Sequence, residues 1–255
     1  MSTTNPGSEF PRVSDETVRL LGGVSTATLC TQLRKRGFRS SLFMQDVAPL
    51  RPDLPLAGQA VTLRYIPMRE DLEPTGDYDN LTNRQRIAVE RVGPGDVLVI
   101  DARGDTRAAV LGNILASRIE ARGAAGIVTD GAFRDAPAIR ALELPTYASG
   151  QNANLSNHVH FPSEVNVPIA CGGVAVLPGD VIVGDAEGVV VIPLALAGDI
   201  ARDAAAQEAL EAYILEKIRS GSSIVGVYPP NEQTLGEYER ARRVGNDTGH
   251  AGDGA

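Results

Sequence analysis

Apolar residues along this chain recur in two rhythms, and glycine or proline stands where one rhythm gives way to the other. Val97-Leu98-Val99-Ile100 is a continuous apolar run of the length that a buried strand needs, and the segment Asp101 to Asp105 breaks it. From Gly112 to Arg122, Ile114, Leu115 and Ile119 fall at helical spacing. Arg118, Glu120 and Arg122 are left for the wet face, and Gly123 is the stop. Ile127-Val128 makes a second strand, and Asp130-Gly131-Ala132-Phe133-Arg134-Asp135 follows as a polar loop in which a cation and an anion stand side by side. The stretch from Gly95 to Asp135 therefore predicts strand, turn, amphipathic helix, strand and loop, and such loops are where α/β units carry their sites.

The flanking segments read as scaffold around this unit. Ser14-Asp15-Glu16 starts a helix that Gly22-Gly23 ends, and Ser25 caps a second one through Leu33, with Gly37 as its stop and Cys30 as packing. Ala60 to Ile66 has the β-branched and aromatic content of a strand, and Met68 to Asp79 is a long acidic loop. Its Asp77, Tyr78 and Asp79 read as solvated surface, with a reach into a pocket as the sharper alternative. Asn80 to Val92 reads as a helix whose Arg84, Arg86 and Arg91 face water. Pro137 opens a short helix through Leu142, which puts Asp135 near a helix N-terminus, and Tyr147 to Asn157 is small and polar.

His158 and His160 stand two apart, followed by Glu164. On a strand they would share a face and could ligate a metal. With no third ligand in sight, the plainer reading is a pair of loop or interface histidines. Val165 to Pro193 alternates short apolar runs with tight turns, where Asp185 and Glu187 read as turn formers, so this is a cluster of strands. Leu194 to Arg219 is a long helix that places Glu208 and Glu211 on one face, either solvated or in a subunit contact. Beyond Pro229 the apolar pattern fades, and Gly245 to Ala255 is expected to be disordered. The expected organisation is a lead-in and short helix over 1–24, one α/β domain over 25–221, and an extension over 222–255.

Composition narrows the function classes. The 255 residues are 43% hydrophobic, enough for a sizeable core, and the net charge of −8 argues against a nucleic-acid backbone as main ligand. The 2 cysteines are too few for a disulfide framework or a thiolate metal site. No apolar run reaches the roughly 20 residues of a membrane helix, and no signal-like segment opens the chain. A cytoplasmic protein with no membrane partner is expected.

The chemistry concentrates at Arg134 and Asp135. An arginine fork suits a planar carboxylate through two charge-assisted hydrogen bonds, and a lone aspartate suits Mg2+, which keeps several waters. Adjacent side chains diverge if the backbone is extended, giving each its own task. Free backbone amides of a helix beginning near Gly112 would add an anion hole, so that arginine, amides and metal could clamp a 2-oxo acid. The plain alternative is a loop salt bridge.

The ordered set Gly112-Asn113-Ile114-Leu115-Ala116, Gly126-Ile127-Val128-Thr129-Asp130-Gly131-Ala132-Phe133-Arg134-Asp135, Gly172-Gly173-Val174 and Pro178-Gly179-Asp180-Val181 resembles one family. It contains the class II 4-hydroxy-4-methyl-2-oxoglutarate/4-carboxy-4-hydroxy-2-oxoadipate aldolases and the regulator of ribonuclease activity A, and the resemblance covers roughly Ser25 to Gly221. It implies an α/β fold, an α-β-β-α sandwich with a central β-sheet core like that of swivelling domains. It implies assembly as a homotrimer or dimer of trimers with active sites between subunits.

In the aldolase branch Arg134 would hold the pyruvyl carboxylate, Asp135 would ligate Mg2+ or Mn2+, and the Gly112 to Leu115 amides would help bind substrate. That branch has an acid where this chain has Asn113, and an amide cannot take up a proton as a base would. An acid from a neighbouring subunit's long helix, Glu208 or Glu211, matches a further role. The expected activity is a metal-dependent carbon–carbon lyase, by aldol cleavage of a 4-hydroxy-2-oxo acid or decarboxylation of oxaloacetate through a pyruvate enolate. Two alternatives stand beside it: a non-catalytic regulator that binds a ribonuclease or helicase, and a related lyase or dehydratase acting on a sugar-derived 2-oxo acid.

Overall fold

The run Val97–Ile100 is buried on both faces because other layers cover both faces of its strand, which is why it reads as continuous rather than alternating. Leu98 and Ile100 join a cluster with helical residues, whereas Val97 and Val99 join a second cluster on the opposite face. The structure, a computed structural model, describes residues 10–39, 42–71 and 79–249. It divides into two units, Met1–Ala204 and Ala205–Ala255. Asp77 and Tyr78 lie outside the described residues, as do residues 250–255.

The helices are α1 (Asp15–Gly22), α2 (Thr26–Lys35), α3 (Arg84–Arg91), α4 (Asn113–Ala121), α5 (Ala136–Ile139), α6 (Ala197–Arg219) and α7 (Glu232–Gly249). The strands are β1 (Ala48–Pro49), β2 (Leu56–Pro67), β3 (Asp96–Asp101), β4 (Ala109–Leu111), β5 (Gly126–Phe133) and β6 (Thr146–Gln151). They continue with β7 (His160–Val165), β8 (Ile169–Cys171), β9 (Val174–Val176), β10 (Val181–Gly184) and β11 (Val189–Ile192). One large sheet runs β1-β6-β5-β3-β2-β10-β11, with β4 added to β5 and β7 to β2. The pairs β2–β3, β3–β5, β4–β5 and β5–β6 are parallel, and the remaining pairs are antiparallel.

This is a mixed α/β fold. Residues of α3, α4 and α5 cover one face of the sheet at Leu63, Leu98, Ile100 and Ile127. The β8–β9 hairpin covers the other face through Ile169, Cys171, Val174 and Val176. Each buried Val, Leu or Ile contributes about 1.5–3 kcal/mol, so these two layers are the main source of the unit's stability. The hairpin turns at Gly172 and Gly173, both at positive φ, and a Cβ on Gly172 would meet Met44 Cβ at 2.7 Å. Cys171 is buried, with its thiol directed at the Ile100 carbonyl, in keeping with a packing role.

Several elements depart from the sequence pattern. The Asp130–Phe133 segment is strand rather than loop: β5 continues to Phe133 and is buried throughout, because β4 and β6 pair with its second half. β4 is only three residues long, and β6 hides in a polar-looking stretch although Thr146, Tyr147 and Ala148 are buried. His158 ends a 3-10 turn while His160 begins β7, so the two histidines share no strand face. In the second unit α7 replaces the patternless tail as far as Gly249. Asn231 accepts from Thr234 N at 2.9 Å to start it, and Tyr238 and Glu237 attach it to Tyr213 and Lys217 of α6. A helix held by one ring pair and an ion pair leaves little trace in hydrophobic spacing.

Gly58 shows how closely the sheet and its connections meet. A Cβ there would lie 2.8 Å from Gly95 O and 2.9 Å from both Ala125 Cβ and Val97 Cγ2. Gly58→Ala should lower the stability of the protein by about 1–3 kcal/mol, measured by thermal or urea unfolding. An unchanged midpoint would mean that this contact relaxes freely.

Candidate functional site

Parallel pairing of β4 with β5 aligns Leu111 with Phe133, so the next residue of each strand leaves the sheet at the same place. These are Gly112 and Arg134, and Arg134 N extends the ladder by donating to Leu111 O at 3.1 Å. Gly112 is the N-cap residue of α4, and a Cβ on it would stand 2.7 Å from both Arg134 Cγ and Asp135 Oδ2. Its φ of −124° is ordinary, so glycine is needed here for close approach. Arg134 and Asp135 thereby lie directly against the start of α4.

Asp135 has φ 57° and ψ 30°, the left-handed region that a non-glycine residue enters at some cost. This bend overturns the divergence expected of an extended pair, since it turns both side chains to one side and leaves Arg134 Nε 3.4 Å from Asp135 Oδ2. At that separation the attraction is Coulombic more than a hydrogen bond. Asp135 Oδ2 also accepts from Asn113 N at 3.3 Å, so the carboxylate caps α4 from outside the helix while Pro137 sits in the first turn of α5. The macrodipole of α4 favours negative charge at this end.

A cleft of about 210 Å3 opens at this junction. Gly112, Ile114, Leu115, Arg134 and Asp135 line it, as do Val110, Leu111 and Leu155. Asn113 contributes its amide through Asp135. Ile114 is 83% exposed, so it does not join the core as its helical spacing suggested; it borders the cleft mouth. The Arg134 and Asp135 side chains are 37% and 45% exposed, open to a ligand. Glu208 and Glu211 belong to the second unit, where Glu211 accepts from Gln207 at 2.8 Å. Among the described residues no three His, Cys, Asp or Glu side chains are gathered as a metal cage.

Sequence spacing missed the cleft's far wall. Arg86 and Gln85 of α3 line the cleft, although the segment's arginines were expected to face water. Gln85 Nε2 donates to Val110 O at 2.5 Å, tying α3 to the strand that delivers Gly112. One turn on, Glu90 receives Arg118 Nε and Nη2 at 2.9 and 2.8 Å and Arg122 Nη1 at 3.2 Å, latching α3 to α4. The Arg118 hydrogen bonds hold the Glu90 carboxyl below its usual range. A glutamate paired with two arginines across two predicted helices was the available signal.

The loop feeding β4 is fixed from both ends. Asp130 accepts from Ala102 N at 2.7 Å and Gly104 N at 3.0 Å, and burial raises its pKa. His160 is fully buried against Tyr65, with Nε2 3.2 Å from Ala108 O and Nδ1 3.2 Å from Arg103 Nη2. Those partners assign a neutral imidazole that donates from Nε2 and accepts at Nδ1. Burial pushes its pKa down, and Arg103 acts in the same direction. His160 is a structural histidine.

The family model described as RraA-like, Aldolase/RraA, matches residues 26–191. A protein of Halalkalibacterium halodurans, provisionally named a 4-hydroxy-4-methyl-2-oxoglutarate aldolase, is 46% identical over 106 residues, which are 42% of this chain and 50% of that protein. An uncharacterised protein of Methanocaldococcus jannaschii is 34% identical over 128 residues, 50% of this chain and 61% of its own. The chain thus spans about half the length of the curated relatives that it matches. The crystal structure of Streptomyces coelicolor RraAS2, described as an unusual member of the RNase ES inhibitor RraA protein family, superposes with a TM-score of 0.71 at 37% identity. It covers 80% of this chain and 98% of that one. Among the described residues no helix is long and apolar enough to cross a membrane.

A buried histidine with a lowered pKa makes a signed prediction. Above its ordinary value of about 6.5 the imidazole is neutral folded or unfolded; below it the unfolded chain takes up the proton first, so stability falls as pH drops towards the folded pKa. Melting temperature followed from about pH 7.5 to 5 should fall more steeply for the wild type than for His160→Gln. Parallel curves for the two proteins would remove His160 as the titrating group.

Proposed function

Because the chain belongs to the RraA-like family, Aldolase/RraA, we propose that it is a divalent-metal-dependent carbon–carbon lyase acting on a 2-oxo acid, by aldol cleavage or decarboxylation. The observation that carries this reading is the Arg134–Asp135 pair folded onto the amide end of α4 at an open cleft. Two features from different segments, a left-handed Asp135 after β5 and a Gly112 before α4 that admits no side chain, are expended on holding that pair in place. The aldolase name of the Halalkalibacterium halodurans relative supports the reading.

Each residue has a task in such a reaction. The Arg134 fork would grip the substrate carboxylate, and the first-turn α4 amides of Ile114 and Leu115 would add donors for its oxygens, the Asn113 amide being held by Asp135. Asp135 fits Mg2+ or Mn2+ on its own chemistry: a single, partly exposed carboxylate at a cleft wall suits an ion that keeps waters and takes its remaining oxygens from a ligand. When bound, such an ion supplies Lewis-acid polarisation of the 2-oxo group. With a ligand seated in the cleft, the apolar side chains of Val110, Leu111 and Leu155 would displace water around it and so strengthen its charged contacts. Asn113 has no basic group to accept a proton, so the proposed base is Glu208 or Glu211 of a neighbouring copy in a trimer or dimer of trimers.

A second reading rests on Asn113 itself. An amide where the aldolase branch has an acid would suit a protein that keeps the fold and binds a protein partner instead, and the ribonuclease-inhibitor description of RraAS2 makes that class concrete. The substrate of an enzyme could equally be a sugar-derived 2-oxo acid.

Purified protein with Mg2+ or Mn2+, assayed against oxaloacetate and a panel of 4-hydroxy-2-oxo acids, should turn over at least one of them and stop on chelation with EDTA. Absence of metal-dependent turnover on the whole panel would leave the binding-protein reading. On the substrate found, Arg134→Lys keeps the charge and loses the fork, so kcat/KM should fall roughly ten- to a hundredfold with the melting temperature preserved. A kcat/KM equal to wild type would take Arg134 out of the site.

A further inference from the structure

Among the described residues, every charged side chain that lines the cleft is engaged once a 2-oxo acid is bound. In the reading above Arg134 takes the carboxylate and Asp135 takes the metal ion. Arg86, the further cation on the wall, already holds an interaction of its own, and the Gln85 side-chain amide is committed to Val110 O at 2.5 Å. Ser156 adds a hydroxyl, which carries no charge to balance a second carboxylate. The rest of the lining is the Gly112 backbone and apolar side chains, and two of these face water: Ile114 is 83% exposed and Leu155 45%.

A ligand tail that reaches this part of the cleft meets hydrocarbon. An alkyl group there removes apolar surface from water on both partners, whereas a carboxylate would lose its hydration without a cation in return. The wall is also fixed in place. Asn154, the residue before Leu155, accepts from Ala109 N at 3.1 Å and donates from Nδ2 to Arg107 O at 3.1 Å, while the Tyr65 hydroxyl donates to Val110 O at 3.1 Å. The segment that presents Leu155 is thus tied to the strand that delivers Gly112, and a rigid apolar wall sorts ligands by the polarity of their tails. The cavity, about 210 Å3, is below the roughly 300–1,000 Å3 of pockets that take drug-sized molecules, which limits the tail to a few carbons. We propose that the substrate is a 4-hydroxy-2-oxo acid with a single carboxylate whose far end is a short alkyl group, and that the Ile114 and Leu155 side chains select it.

The inference rests on the 2-oxo acid reading, and the test keeps the two apart. Pyruvate, 2-oxobutanoate, 2-oxopentanoate and 2-oxoglutarate are titrated calorimetrically into the full chain with Mn2+ present. Wild type, Ile114→Ser and Leu155→Ser are compared, with melting temperature as the check on folding. In the wild type, affinity should rise roughly fourfold with each methylene added from pyruvate to 2-oxopentanoate. 2-Oxoglutarate has the same chain length as 2-oxopentanoate with a carboxylate in place of the methyl group, and it should bind roughly tenfold more weakly or worse. Each serine variant should flatten the methylene series and narrow the gap between these two acids. Pyruvate binding with a flat series, or with a preference for 2-oxoglutarate, would overturn the alkyl selection while the 2-oxo acid site stands. A variant that keeps the wild-type ratios removes its side chain from the role, and a wild type that binds none of the four acids sinks both readings.

Discussion

The pairing of β4 with β5 is the constraint on which the rest of the site depends. Three residues of strand, Ala109 to Leu111, are enough to set Gly112 beside Arg134. Parallel strands that end side by side release their next residues in the same direction, which is the usual reason that α/β sheets bind ligands beyond the carboxyl ends of their strands. Here that release coincides with a helix start, so backbone donors, a cation and an anion converge within hydrogen-bonding reach of one another. The left-handed Asp135 costs on the order of 1 kcal/mol, and its charged hydrogen bond to the α4 amide offsets part of this.

What surrounds the pair makes it rigid. Asp130 and His160 pin the loop that enters β4, Gln85 pins α3 onto β4, and Glu90 joins α3 to α4. Three of these four side chains are buried, and each spans elements far apart in sequence, so their loss would be felt as misplacement of the cleft walls as well as lost stability. Exposed Glu90 is different: its pairs with Arg118 and Arg122 are screened by water and gain their effect from two-armed geometry more than from charge. The two core clusters on either face of β3 provide the stiffness against which these small polar ties act.

The sequence marked Arg134 and Asp135 more plainly than it marked the strands that bring them to the cleft. Val97–Ile100, the α4 helix and the strand cluster after Val165 were readable because burial on one face or two leaves a trace in the apolar pattern, and the long α6 helix because its segment is alanine-rich and free of internal proline. β4 and β6 left none, since one is three residues long and the other carries Thr146, Ser149 and Gln151 in a strand that its neighbours shelter. The end of β5 looked like a loop because Asp130 and Gly131 are poor strand formers; Asp130 is there to accept two amides, and a Cβ on Gly131 would come within 2.6 Å of Ala102 Cβ. Arg134 and Asp135 could be named from residue chemistry, whereas Arg86 could not, because its direction depends on how α3 docks and not on its place in the helix repeat.

The central claim is that the junction of β4, β5 and α4 activates a 2-oxo acid towards its enolate. Exchange of the pyruvate methyl protons for deuterium in D2O, followed by proton NMR in the presence of Mn2+ or Mg2+, reports that step without requiring the natural substrate. Wild-type protein should speed the exchange in a metal-dependent way, and Arg134→Lys and Asp135→Asn should each reduce it while keeping a native melting temperature. Exchange no faster than with the metal ion alone, or equally fast in both variants, would contradict the account.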